Sequence, residues 1–279
     1  LPDFPVYVRD RIESCLSVLY DRNRMVMHPR GSTNYDDDEF CWLKWALERH
    51  NTDPNYPFSS VFSTEEFIVF SELNDKVLVP ISTALDADCW VNRKRTFPLI
   101  KTASHLNQLL APFVRFAKKV TLIDPYMTCR EDRFLDTVQA CANLLGKHDG
   151  AQSSGIIHIH AGDPTEFGAI DKREPVVDRL NRWESDLKMF ANQWGHTFFI
   201  FLWGRKRGGK LPHDRFIITD QGGIEAPGGL DFLPDSEAQR ANHSRWSWLD
   251  PEEVRRILQV EYHHSKSPYE YLGSRKIEP

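Results

Sequence analysis

Apolar residues recur with a helical period over 106–117 and over 134–145, where positions 134, 135, 138, 141, 142 and 145 are apolar. That spacing gathers them on one face of an amphipathic helix. A longer helix is expected over 176–194, with Trp183 and Trp194 on one buried stripe and Gly195 as its stop. Between these segments lie short runs of β-branched and apolar residues at 120–123, 155–160, 197–203 and 216–219. Strands alternating with helices predict an α/β fold, a mixed sheet with helices on both faces, from residue 96 to 279. Asp250-Pro251-Glu252-Glu253 reads as a helix start, with Asp250 as N-cap, Pro251 at the first position and Glu253 closing a capping box.

Residues 1–95 read as a separate, smaller α+β region of unassigned role. A helix is expected over 9–19, and short strands over 67–73 and 76–82, joined at Asn74-Asp75. The run Asp36-Asp37-Asp38-Glu39 precedes the apolar segment 40–47. Carboxylates there suit the positive end of a helix dipole. Four consecutive side chains on a helix cannot all face one cation, so a metal site is not expected from them. Trp42, Trp45, Trp246 and Trp248 are read as packing residues, with base stacking as the alternative.

Composition narrows the function classes. Of 279 residues, 41% are hydrophobic and 27% charged, and the net charge is −5, so any contact with nucleic acid must come from a local patch. Cys15, Cys41, Cys89, Cys129 and Cys141 are widely spaced, without a CxxC pair. They imply buried thiols in a reducing, cytoplasmic compartment and no zinc site. No run of about 18 apolar residues predicts a membrane span. The opening LPDFPVYVRD lacks the basic-then-apolar order of a secretory signal.

Candidate chemistry is concentrated late in the chain. His213-Asp214-Arg215 leads into Phe216–Thr219 and Asp220, and is followed by Gly222-Gly223 and then Gly228-Gly229-Leu230-Asp231. On a strand, His213 and Arg215 would project from one face. A guanidinium fork beside an imidazole is a good receptor for a phosphate ester, and imidazole can also accept a proton or attack phosphorus. Asp220 is placed to orient a partner, and the glycines permit close backbone approach to an anion. The basic loop Arg205, Lys206, Arg207 and Lys210 adds a phosphate contact. The plain alternative is a hairpin in which His213 makes only a core hydrogen bond.

These residues resemble the phospholipase D superfamily, whose motif is HxK, four residues, D, then GSxN. They are similar above all to the MIT C-terminal phospholipase D-like domain, which reads HDR-x-I, a turn and GRGLD, with an earlier DPY matched here by Asp124-Pro125-Tyr126. The likeness spans about residues 96–235. It implies a phospholipase D-like fold and a site that needs no metal or cofactor. In the catalytic members one His attacks phosphorus and a second protonates the leaving group. This chain departs at Arg215, where Lys is usual, and at Gly229 and Asp231, which stand for Ser and Asn. Gly228 stands where the MIT C-terminal family has Arg. Only one motif is found, so catalysis would require two copies of the chain pairing as a homodimer.

Two functions follow. One is a metal-independent phosphodiesterase, most plausibly a nuclease, with His213, Arg215 and Asp220 catalytic. The other is a non-catalytic module binding an anionic lipid headgroup, a nucleic-acid backbone or a protein partner. In both, Arg207, Lys210, Gly228, Gly229 and Asp231 contact phosphate, and Asp124, Tyr126 and His160 support them. His158 and His160 share a strand face, and with Asp163 they are a weaker metal candidate. His263-His264 reads as surface.

Overall fold

The computed structural model of the chain describes residues 95–115, 117–148, 151–152, 154–162, 175–220, 222–240 and 243–279, and before them 47–48, 51, 61–63, 77–80 and 83. The described residues fall into two units, one from Arg95 to Pro279 and one within Met27–Lys94. In the latter, Leu47, Glu48 and Asn51 are helical. Leu78–Pro80 is a strand, as expected for 76–82, but its partner is Val61–Ser63 in parallel register. The strand expected over 67–73, the helix over 9–19, the acidic run 36–39 and the tryptophans at 42 and 45 lie outside the described residues.

The larger unit is a mixed α/β fold built on eight strands: β1 Thr96–Ile100, β2 Lys119–Ile123, β3 Ile156–Gly162, β4 Thr197–Gly204, β5 Phe216–Thr219, β6 Gly222–Glu225, β7 His243–Trp248 and β8 Glu270–Ile277. Their order in the sheet is β8-β4-β3-β2-β5-β6-β7-β1. Strands β2, β3 and β4 are parallel neighbours. They are connected in sequence through helices α2 (Asp132–Leu144) and α3 (Val176–Trp194). Beyond β2 every pairing turns antiparallel.

The central strands are apolar at consecutive positions because both faces are covered. Val120, Leu122, Ile157, Ile159, Phe198, Ile200 and Ile217 pack into one core with α1 (Ala103–Val114), α2 and α3. The alternate residues Ile123, Trp203, Phe216 and Ile218 pack on the opposite face against Ile257, Tyr262 and Tyr269. That second face is covered by a short helix α4, Pro251–Arg256, which continues into a π-helical turn, Ile257–Glu261. The Asp250 N–H donates to Glu253 Oε2 at 3.2 Å, as the capping signature requires. Helix α3 has its expected bounds, buries Trp183 and Trp194, and stops at Gly195 with φ 68°. Trp246 is buried in the core. None of the described helices is long and apolar enough to cross a membrane.

Candidate functional site

Register brings the two separated motifs together. Strand β2 runs antiparallel to β5, and Ile123 lies opposite Phe216. The residues just beyond that pair are Asp124 and Arg215. Strand β6 ends beside them, since Glu225 is opposite Phe216 and the Ala226 N–H donates to the Arg215 carbonyl at 2.8 Å. The 226–231 loop therefore folds over the end of β2. This is where the sheet changes from parallel to antiparallel.

Asp124 organises the cluster. It is 1% exposed. Its Oδ1 accepts the Tyr126 N–H at 2.9 Å and its Oδ2 accepts the Leu230 N–H at 2.8 Å. Arg215 Nε lies 3.6 Å from Oδ1, close enough for an ion pair but long for a hydrogen bond. Burial pushes the Asp124 carboxyl up, the two backbone donors and Arg215 offset this only in part, and the net shift is upward. Tyr126 is the second hub. Its hydroxyl meets His213 Nδ1 at 3.2 Å, and the Arg215 guanidinium stands over its ring at 4.6 Å. One Arg215 Nη also donates to the Pro227 carbonyl at 2.9 Å. His213 is exposed.

Gly229 closes the loop with φ 86°. A Cβ there would stand 2.8 Å from Asp231 Oδ1, 3.5 Å from Asp124 Oδ2 and 3.6 Å from Arg215 Nε. Both the backbone conformation and the space call for glycine. Gly229→Ala is expected to destabilise the fold by about 2–3 kcal/mol, with the crowding by Asp231 adding to the backbone cost. An unchanged urea midpoint would contradict this account of the loop.

Asp231 is fully engaged. Lys101 Nζ donates to its Oδ1 at 2.6 Å, and also to the Gly228 carbonyl at 2.6 Å. Arg133 donates to its Oδ2 at 3.0 Å and to Glu131 at 2.6 Å. Gly228 is tight for a separate reason, since a Cβ there would meet Ser244 Oγ at 2.4 Å. Lys101 and Arg133 were absent from the sequence expectation. One follows β1 and the other opens α2, more than 90 residues before the motif they serve, and no local pattern marks either.

Of the expected site residues, Asp124, Tyr126, His213, Arg215, Gly228, Gly229 and Asp231 come together. The others do not. His213 and Arg215 do not ride on a strand face, because residues 211–215 are irregular and β5 begins at Phe216. Asp220 sits at the opposite end of β5, roughly 13 Å of strand away. There its Oδ1 accepts the Lys118 N–H at 3.0 Å, so it holds the start of β2 and does not orient His213. Gly222 and Gly223 belong to β6 at that same far end. Arg207 and Lys210 stand exposed on the loop before the motif. His160 is buried in the aromatic layer on the second sheet face, where its Nδ1 accepts the Trp203 indole N–H at 3.0 Å. Among the described residues no cluster of three or more His, Cys, Asp or Glu is arranged for a metal ion. Asp163 lies outside them.

No family model matches the chain, and no curated protein is significantly similar to it. One solved structure similar to it is that of TrmBL2, described as an archaeal chromatin protein that shows a novel mode of DNA binding. The TM-score is 0.28 and the identity 14%, over 90% of this chain and 78% of that one. At that TM-score the likeness bears on neither fold nor function.

Proposed function

We propose that the chain binds a phosphate ester at the rim formed by His213, Tyr126 and Arg133, and that a single copy does not hydrolyse it. The orientation of Arg215 carries this reading. In a phosphoryl-transfer site that cation would aim its fork at the substrate. Here its Nε faces Asp124, an Nη is bonded to Pro227, and its face lies on Tyr126. Arg215 thus shapes the loop. The groups left at the rim are the exposed imidazole of His213 and half-exposed Arg133, whose guanidinium an incoming phosphate would share with Asp231 and Glu131.

One observation favours hydrolysis as a second reading. The Tyr126 hydroxyl engages His213 Nδ1, and in the tautomer in which Nδ1–H donates to the phenol oxygen, Nε2 on an exposed ring carries the lone pair able to attack phosphorus. A second His213, from another copy of the chain, would then protonate the leaving group.

Labelled single- and double-stranded DNA and RNA, incubated with the protein in excess EDTA, separate the two. Under the binding reading all four stay intact, while complex formation weakens steeply between low and moderate salt. Cutting in EDTA that disappears in His213→Ala would overturn it in favour of a metal-independent nuclease. Anionic and neutral vesicles in parallel test a lipid headgroup as the source of the phosphate.

A further inference from the structure

A cavity of about 170 Å³ lies on the second face of the sheet, walled by His158, His160, Phe201, Trp203, Leu258 and Tyr262, with half-buried Lys119 at one side. It is smaller than the roughly 300–1,000 Å³ that drug-sized ligands occupy, which limits it to one flat ring system.

Its walls suit such a ring. His160 stacks on Phe201 with centroids 4.6 Å apart and planes 16° apart, and on Trp203 at 5.8 Å and 14°. Tyr262 stands edge-on to both His160 and Trp203, at 82° and 87°. The wall is thus a layer of rings set face to face and edge to face, against which a further flat ring can pack.

The two imidazoles and the Tyr262 phenol are uncharged and directional, while Lys119 adds a cation at one side. An indole N–H only donates, so the bond from Trp203 leaves His160 Nδ1 bare and puts the proton of the neutral ring on Nε2. Burial pushes His158 down to about 4 and His160 well below its usual range, so both are neutral near pH 7. The Tyr262 hydroxyl is buried and has no hydrogen-bond partner among the described residues. A buried orphan of this kind costs stability, and a polar group of a ligand that reached the phenol would relieve that cost. The π-helical turn supplies a further sign. It carries Leu258, and the Tyr262 N–H closes on the Ile257 carbonyl at 2.9 Å, a local irregularity frequent at functional sites.

The cavity and the phosphate rim both lie against the end of β2. Ile123 pairs with His160, and the Asp124 N–H donates to the His160 carbonyl at 3.1 Å. The Tyr262 phenol feels the charges of Asp214, beside His213, and of Asp124.

We infer that this cavity receives the nucleobase of a nucleotide whose phosphate is held at the His213 rim, which makes the ligand a free nucleotide or a single strand with an unstacked base. This inference rests on the phosphate-binding reading above. A flat heteroaromatic ring with donors and acceptors on its edge matches both the stacking walls and the uncharged polar groups. A metal ion or an acyl chain matches neither, and a bare phosphate would find Lys119, His263 and His264 but leave the aromatic walls unused.

The test compares a short labelled oligonucleotide with its abasic counterpart, which keeps the sugar-phosphate backbone, by fluorescence anisotropy on the full chain. Stacking of one base predicts that wild type binds the base-bearing strand about 5- to 100-fold more tightly. His158→Ala, which removes one wall, and Leu258→Phe, which fills the space, are expected to lower that affinity toward the abasic value. Abasic binding should stay unchanged in both, and so reports that the variants are folded. Equal affinity of wild type for the two strands overturns the base pocket and leaves the phosphate reading standing. Binding of neither strand removes both. A discrimination that persists in both variants also overturns the assignment to this cavity. Competition by a nucleoside monophosphate but not by ribose 5-phosphate identifies a free nucleotide as sufficient, and its failure identifies the strand.

Discussion

Asp124→Ala is expected to lower the stability of the larger unit by about 3–5 kcal/mol, the range for removing one member of a buried, hydrogen-bonded charge pair. The substitution removes the acceptor of two backbone N–H groups, those of Tyr126 and Leu230, and the counter-charge of Arg215. Each orphaned buried donor costs about 1–3 kcal/mol. The loss is offset in part because ionising a carboxyl this deep is itself unfavourable, as the upward push on Asp124 indicates. Asp124→Asn keeps one acceptor oxygen and is expected to fall between wild type and Ala. Urea unfolding measures both. Phosphate-ester binding should be lost in the Ala variant below its unfolding midpoint, because Tyr126 and the 226–231 loop lose their common anchor. A variant as stable as wild type would show that the loop is held by something other than this carboxylate.

Acidification is expected to have an effect of similar size, from the opposite face of the sheet. His158 and His160 have folded values below the unfolded value near 6.5, because burial disfavours their charged forms. Lys119 adds like charge beside both of them. A lowered His value means that the unfolded chain takes up the proton first. The contribution is therefore complete above pH 6.5 and is lost as the pH falls from 6.5 toward 4. For His158, whose folded value is about 4, the loss at about 1.4 kcal/mol for each unit, discounted for its part-exposed ring, is on the order of 2 kcal/mol by pH 4.5, and His160 adds to it in the same direction. Asp124 works the other way, since a raised carboxyl value relieves its cost in acid. Urea midpoints at pH 7.5, 6, 5 and 4.5 follow the net effect, and His158→Phe should flatten the curve. A midpoint independent of pH over that range would mean the imidazoles titrate as they do in water.

Much of the larger unit was legible from periodicity. Helix α3 and strand β5 have the bounds their patterns predict, the helix because Gly195 with its left-handed backbone ends it. Helix α1 starts at Ala103, three residues before its first large apolar position, since the opening turn is built from Ala103, Ser104 and His105 and so carries no apolar signal. The motif's placement was misread for a physical reason. A strand extends only as far as it has partners, and β5 pairs with β2 and β6 from Phe216 onward. His213 and Arg215 were thus assigned to a face they do not share, and Asp220 to a site at the wrong end. The link between Asp124-Pro125-Tyr126 and the motif was visible because both abut apolar runs. Lys101 and Arg133 were not, because their role arises only from tertiary pairing.

The cluster draws on residues 101, 124, 133, 215 and 231, and the bond from Lys101 to Asp231 spans 130 positions. Such a site has no local precursor. During synthesis its first cation emerges long before its last carboxylate, and β1, which places Lys101, must wait for β7 to pair with it. Contacts of this range are among the slowest to form. Ligand competence is consequently a late property of the polypeptide, and a ligand held here would act as a latch on the completed fold, slowing release of the strands that arrive last.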